Sequence, residues 1–275
     1  MSEIVSWRDI RGGDSSDGVV RVDAWVLVLL VAVDCSVPRR AVVGGAPVSR
    51  DAIALDQETV IGSRHYARGY PAQNRDGSVN AVIEIPSGTT AKFEVGERDG
   101  VMRWRHDRDH GGRRELDYLA FVGNYGMVPR TLADDGDALD IIVLGRGIER
   151  GHVAHTRVIG VLKMAADGAR DDKLIAVPLE PALQNGFSRL HELVELDEHY
   201  RGAREILWTW FSNYWGPGAT TPIGWGDAAE ALAILEASKR AVMTWSRQPA
   251  ASDPRPRARR PFHVLAHGPS RHARP

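Results

Sequence analysis

Residues 79–95 read VNAVIEIPSGTTAKFEV. The first seven alternate, with Ala81, Ile83 and Ile85 on one face of an extended strand and Val82 and Glu84 on the other. Pro86-Ser87-Gly88 stops that strand, and Ala91–Val95 forms a second, short one on which Lys92 and Glu94 share a face. Further strands are read at Met102–His106, after an Asp99-Gly100 turn, and at Ile141–Leu144, Val153–Leu162 and Leu174–Val177. Helical spacing appears only later. Glu205–Tyr214 aligns Ile206, Leu207, Trp210 and Tyr214, and Ala228–Trp245 is rich in Ala, Glu and Leu behind Asp227 as N-cap. Short strands followed by helices predict a mainly β fold with some α, a small β-barrel with helices on its outside.

Outside this core the sequence is less regular. The 275 residues suit one large domain with tails, divided as an N-terminal extension (1–75), a folded domain (76–246) and an Arg/Pro-rich tail (247–275). The tail holds seven arginines and six prolines against one acid, Asp253, and that composition cannot bury a core. Residues 36–75 show weak periodicity and read as an extended arm packed on the surface. Ala24–Val33 is an apolar run of ten residues, too short to span a bilayer as a helix. It has the length of a leader's apolar segment, but five acids precede it and Asp34 stands before Cys35. The expected location is cytoplasmic, with export or lipid anchoring through residues 24–35 as the alternative. A net charge of −1 gives no overall footprint for nucleic acid, and the single cysteine excludes an intrachain disulfide and a Cys-rich zinc site.

Asp134-Asp135-Gly136-Asp137-Ala138-Leu139-Asp140 is the most informative segment. Four carboxylates in seven residues repel unless positive charge sits among them. Hard cations such as Mg²⁺ take oxygen ligands, and Gly136 lets the backbone turn so that neighbouring acids converge. Alone, the loop reads more readily as a solvated acidic turn than as a catalytic metal site. An EF-hand is excluded by the missing terminal Glu, and an aspartyl-phosphate DxDxT motif by Leu139 where its Thr should stand. A second acidic stretch, Asp167-Gly168-Ala169-Arg170-Asp171-Asp172-Lys173, also falls between strands. Two such loops are what a multi-metal site needs. Lys92, Arg113 and Lys173 are candidate phosphate cations, and Tyr125 and Tyr214 candidate donors to phosphate oxygens.

Together these segments resemble the soluble inorganic pyrophosphatases of the family I type. The resemblance is carried by AVIEIP (81–86), AKFEV (91–95), GNYGMVPRTL (123–132), DDGDALDIIVLG (134–145), VIGVLKM (158–164), DDKLIAVP (171–178) and WFSNY (210–214), in the family's order and at nearly its spacing. It implies an OB-type five-stranded β-barrel with flanking helices that hydrolyses inorganic pyrophosphate to two orthophosphates with several Mg²⁺ ions. By the same resemblance Asp135, Asp140 and Asp171 ligate a first metal and Asp140 bridges to a second. Asp137 is the general base, Glu94 binds metal through water and Glu84 organises the site. Lys92, Arg113, Tyr125, Lys173 and Tyr214 hold the phosphates. The resemblance also implies a homo-oligomer, with hexamer and dimer both open.

Departures from the pattern define the alternatives. Ala166 stands where the family has an acid, and Asp167 is expected to substitute as a ligand. Tyr214-Trp215 replaces the usual Tyr-Lys, and Phe121-Val122 replaces Tyr-Pro. The choice of Arg113 over Arg114 rests on spacing alone. These changes leave room for a catalytically weakened relative that binds phosphates or partners. A nucleic-acid reading of the barrel is weaker, since an acidic cleft repels phosphate unless metals are bound.

Overall fold

A computed structural model describes residues 40–106, 111–166, 168–216 and 219–245. The strands run β1 (Val42–Val43), β2 (Ala46–Pro47), β3 (Ala52–Ala54), β4 (Thr59–Gly62), β5 (Val79–Ile85), β6 (Phe93–Val95) and β7 (Met102–Trp104). They continue as β8 (Asn124–Met127), β9 (Asp140–Val143), β10 (Val153–Ala166), β11 (Ala169–Arg170), β12 (Lys173–Pro178) and β13 (Thr220–Gly226). The α-helices are α1 (Leu193–His199), α2 (Ala203–Asn213) and α3 (Ala228–Trp245).

Five strands close a ring. β5 pairs with β8, β8 with β9, β9 with β12, β12 with β10, and β10 returns to β5. All these pairings are antiparallel except β9 with β12. This is the expected OB-type barrel, and closure removes the free edges that would otherwise invite aggregation. β10 serves several neighbours because it is 14 residues long. Its start pairs with β5, its middle with β12, and its end with β11 and β13.

Alternation along the strands feeds two cores. Ile141, Val143, Leu174 and Ala176 join Ala231 and Leu235 of α3. Ile142, Leu144, Ile175 and Val177 join Leu193 and Leu196 of α1 and Leu207, Trp210 and Phe211 of α2. Both faces of these strands are therefore covered, which matches their near-continuous apolar sequence. α3 begins where expected, with Asp227 Oδ1 accepting from Glu230 N at 2.8 Å. In α2 the buried row runs through Leu207, Trp210, Phe211 and Tyr214, while Ile206 is 58% exposed instead of joining the row.

Residues 40–75 differ from a surface arm. β3 and β4 build a sheet with β7 and β6, and Val43, Val48, Val60 and Tyr66 form a third core with Phe93, Met102 and Trp104. Val82 of β5 and Met127 of β8 are buried in that same core. This layer explains why β5 is buried at every position, with both faces of its alternation covered. β13 escaped the sequence reading because TTPIGWG contains Pro222 and Gly224. It lies beside β10, with a register shift near Met164–Pro222. The apolar run 24–33 and the tail 247–275 lie outside the described residues.

Candidate active site

Asp140 is the first residue of β9, opposite Met127 on β8 and opposite Lys173 on β12. Tyr125, two residues before Met127, therefore shares its face. Tyr125 Oη donates to Asp140 Oδ2. Lys173 Nζ lies 2.7 Å from Asp140 Oδ2 and 2.9 Å from Asp171 Oδ1. Lys173 is fully buried and Asp171 nearly so, so each needs the other's charge. Burial works against the Lys173 ammonium, but Asp140 and Asp171 hold its pKa well above the usual lysine value. Burial works against the Asp140 carboxylate too, and Lys173's charge, with hydrogen bonds from Lys173 and Tyr125, holds its pKa below the usual range. Burial first, then the Asp140 charge, raises the Tyr125 pKa, so Tyr125 stays a hydroxyl donor. The neighbouring Asp172 turns away, accepting from Met164 N at 3.1 Å and pairing with Arg170 at 2.6 Å.

Lys92 approaches from a second element. Its Nζ lies 4.8 Å from the centre of the Tyr125 ring and 3.3 Å from Glu94 Oε1. Glu94 also pairs with Arg105 at 2.9 Å. Glu84 occupies a bulge, because Ile83 pairs with Gly126 and Ile85 already with Tyr125. A Cβ on Gly126 would fall 1.9 Å from Val82 O, so glycine there permits the close approach of β5 to β8. Glu84 Oε1 accepts from Val95 N at 2.7 Å, which ties the bulge to the strand carrying Glu94. Burial pushes the Glu84 pKa up to about 8, with Lys92 opposing and Glu94 adding.

An aromatic wall closes one side. Phe121 touches Tyr125, Trp210 and Tyr214, at ring separations of 5.4, 4.7 and 6.4 Å. Tyr214 stacks on Trp210 and contacts Trp215, both at 4.8 Å. Phe121 thus links Tyr125 to Trp210 and Tyr214.

The acidic loop is built differently. Gly136 has φ +90°, and Asp135 Oδ1 accepts from Asp137 N at 3.1 Å. Asp137 is exposed and Asp135 half-buried. Buried Leu139 anchors the loop, its N donating to Thr131 Oγ1 at 2.9 Å. A cavity of about 670 Å³ opens beside this loop, at Ala138, Arg68, Glu97 and Arg130, and does not include the Lys92 and Lys173 cluster.

The structure thus brings Asp140, Asp171, Lys173, Tyr125, Lys92, Glu94, Glu84 and Tyr214 into one connected group. It does not bring Arg113 there. Arg113 Nε lies 2.8 Å from Glu58 Oε1, its guanidinium sits over Trp104 at 4.8 Å, and its side chain is 47% exposed. Arg114 faces the other way, 3.9 Å from the centre of the Trp215 ring, and Lys92 stands 5.9 Å from that same ring. Strand-like alternation explains the choice: adjacent residues point to opposite sides. Asp167 lies outside the described residues. Trp215 shows in the sequence only as a departure from the motif, and the buried Arg150 carries no sequence signal. Arg150 donates to Glu84 O and lies 3.7 Å over Phe93, tying the hairpin of β1 and β2 to the bulge.

The donor set fits a hard cation. Carboxylate oxygens are presented, and those of buried Asp171 and part-buried Asp140 already converge on a positive charge, the Lys173 ammonium. Among the described residues, no three carboxylate, imidazole or thiolate groups already surround a single point.

Comparison with known proteins places this geometry. Residues 81–243 match the family model described as inorganic pyrophosphatase. A curated inorganic pyrophosphatase from Neisseria meningitidis is 31% identical over 173 residues, covering 62% of this chain and 91% of the relative. One from Rhodospirillum rubrum is 34% identical over 179 residues, covering 60% and 88%. The crystal structure of the Thermus thermophilus inorganic pyrophosphatase superposes with a TM-score of 0.56 at 26% identity, covering 65% of this chain and 99% of that one. The type I enzyme from Toxoplasma gondii, at 23% identity and a TM-score of 0.62, shares the fold over 73% of this chain.

Proposed function

The chain belongs to the inorganic pyrophosphatase family, and from that premise we propose how its residues divide the hydrolysis of inorganic pyrophosphate to two orthophosphates. The observation that carries the reading is the Lys173 ammonium held between Asp140 and Asp171, beside Tyr125 and Lys92.

Pyrophosphate is a compact polyanion, so its recognition is charge neutralisation and alignment. Lys92, Lys173 and Arg114 supply cations, and Tyr125 and Tyr214 supply hydroxyl donors. Divalent cations, Mg²⁺ by expectation and several in number, would be held by Asp135, Asp140, Asp171 and Asp167, with Glu94 through water; bound there they would neutralise phosphate oxygens and acidify water. Asp137, exposed on the loop, takes the proton from the attacking water. The water oxygen bonds to one phosphorus while the bridging P–O bond breaks, and the leaving orthophosphate departs into the Lys92 and Arg114 cations. Glu84, hydrogen-bonded to Val95 N, keeps the Glu94 strand in place. Family resemblance supports a homo-oligomer, and the location proposed for it is cytoplasmic. No described helix is long and apolar enough to cross a membrane.

Orthophosphate release from pyrophosphate tests the reading. Release that requires a divalent cation and is lost in Asp137→Asn supports it, and absence of release at saturating Mg²⁺ overturns it.

A further inference from the structure

We infer that Trp215 is a positioning residue for Arg114, so that this chain places an aromatic face after α2 and lays upon it the guanidinium that meets the substrate. The inference rests on the reading of this cluster as the pyrophosphate site.

The backbone of Arg114 is fixed before its side chain is considered. Its carbonyl accepts from Lys92 N at 3.0 Å and from Trp104 Nε1 at 3.0 Å, and its N donates to Arg105 O at 2.7 Å. With the backbone held, alternation sends Arg113 out to Glu58 and Arg114 in to Trp215. Trp215 is fixed in turn. Tyr214 N donates to Trp210 O at 3.0 Å in the last turn of α2, and the Trp215 ring packs against Tyr214. A guanidinium lying 3.9 Å from a ring centre is restrained against that face, while its N–H groups point outward in its own plane.

Charge gives the arrangement its direction. Lys92 stands 5.9 Å from the centre of the same ring, so two cations are gathered around one aromatic side chain. Like charges held together stabilise an anion placed between them. Lys92 also touches the ring of Tyr125, whose hydroxyl reaches Asp140. Trp215 therefore borders the same group of residues as Lys173 and Asp140. A residue with no charge of its own keeps a cation on the phosphate side by recruiting Arg114.

The test is a double-mutant cycle in the full-length chain, read by phosphate release at saturating Mg²⁺. Cation–π contacts of this kind are worth about 3- to 30-fold in binding. Trp215→Ala is expected to raise KM by about 10-fold and to lower kcat by less, with Trp215→Phe recovering most of the loss because it keeps a ring face. Trp215→Ala combined with Arg114→Ala is expected to be no worse than Arg114→Ala alone. Should Trp215→Ala melt well below the wild type, Trp215→Leu takes its place, since it preserves apolar packing and removes only the ring. Multiplying effects in the double variant, a KM for Trp215→Ala within twofold of wild type, or a Trp215→Phe as impaired as Trp215→Ala would each overturn the inference. Wild-type protein that releases no phosphate would sink the functional reading instead. The same cycle is then read by calorimetric titration with pyrophosphate and Mg²⁺, where additive losses still overturn the Trp215 role.

Discussion

The acidic loop at 134–139 and the buried group around Lys173 carry the same kind of side chain in opposite settings. In the buried group every charge has a counter-charge from the protein itself: Asp140 and Asp171 share Lys173, and Tyr125 donates to Asp140. In the loop, Asp137 is exposed, and Asp135 Oδ1 accepts from Asp137 N in a backbone turn. The buried group is therefore part of the fold, and breaking it costs stability. The loop lies largely at the surface, and under the proposed function its acids serve what binds there. Buried charges that must be paired and exposed charges that need not be are separated here by one strand boundary, at Leu139 and Asp140.

That contrast makes separable predictions. Asp137→Asn should lower kcat by about 10²- to 10⁴-fold, the usual reach of general base catalysis, and leave the melting temperature within a degree or two. A comparable fall in melting temperature would erase the distinction between loop and buried group. Lys173→Met should do both kinds of damage. Hydrolysis is lost, and urea denaturation should show a destabilisation of about 3–5 kcal/mol, because buried Asp171 and part-buried Asp140 are left without their cation.

Glu84 tests burial by pH. Its folded pKa, about 8, lies above the ordinary 4.5, so the folded state binds the extra proton between those values. The stability of the metal-free protein is then greatest below about pH 4.5 as far as Glu84 alone is concerned, and is lost as pH rises towards 8. Thermal melts of wild type against Glu84→Gln should show this slope only in the wild type. Parallel curves would mean that Glu84 is charged in the fold. The smallest effect belongs to Arg113, whose pair with Glu58 is half-exposed. Arg113→Ala should leave KM within about twofold, as expected for a surface ion pair, while Arg114→Ala raises it clearly.

Much of the barrel was legible because its strands are apolar runs bounded by Gly and Pro. Val79–Ile85 and Ala228–Trp245 appear where the sequence places them. Asp140 was legible as a strand-edge acid because apolar residues follow it without a gap. Other parts were not. β8 is four residues, Asn-Tyr-Gly-Met, too short for alternation to register, and Gly126 shows its purpose only against Val82. Thr59 and Val60 of β4 pair with Arg103 and Met102 of β7, partners some forty residues away, and no local pattern reports a partner at that distance. Arg113 and Arg114 are equivalent by composition. Only the register set by Lys92 N on Arg114 O decides which side chain faces inward. Trp215 reads as a departure from a motif until the guanidinium above it is seen.

The most direct measurement is orthophosphate release from inorganic pyrophosphate by the full-length protein, stripped of metal with a chelator and then titrated with Mg²⁺. Negligible release without metal is expected, rising with Mg²⁺ to two orthophosphates for each pyrophosphate consumed. No release at saturating Mg²⁺, or release that the chelator leaves undiminished, would contradict a metal-dependent pyrophosphatase built on Asp135, Asp137 and Asp140.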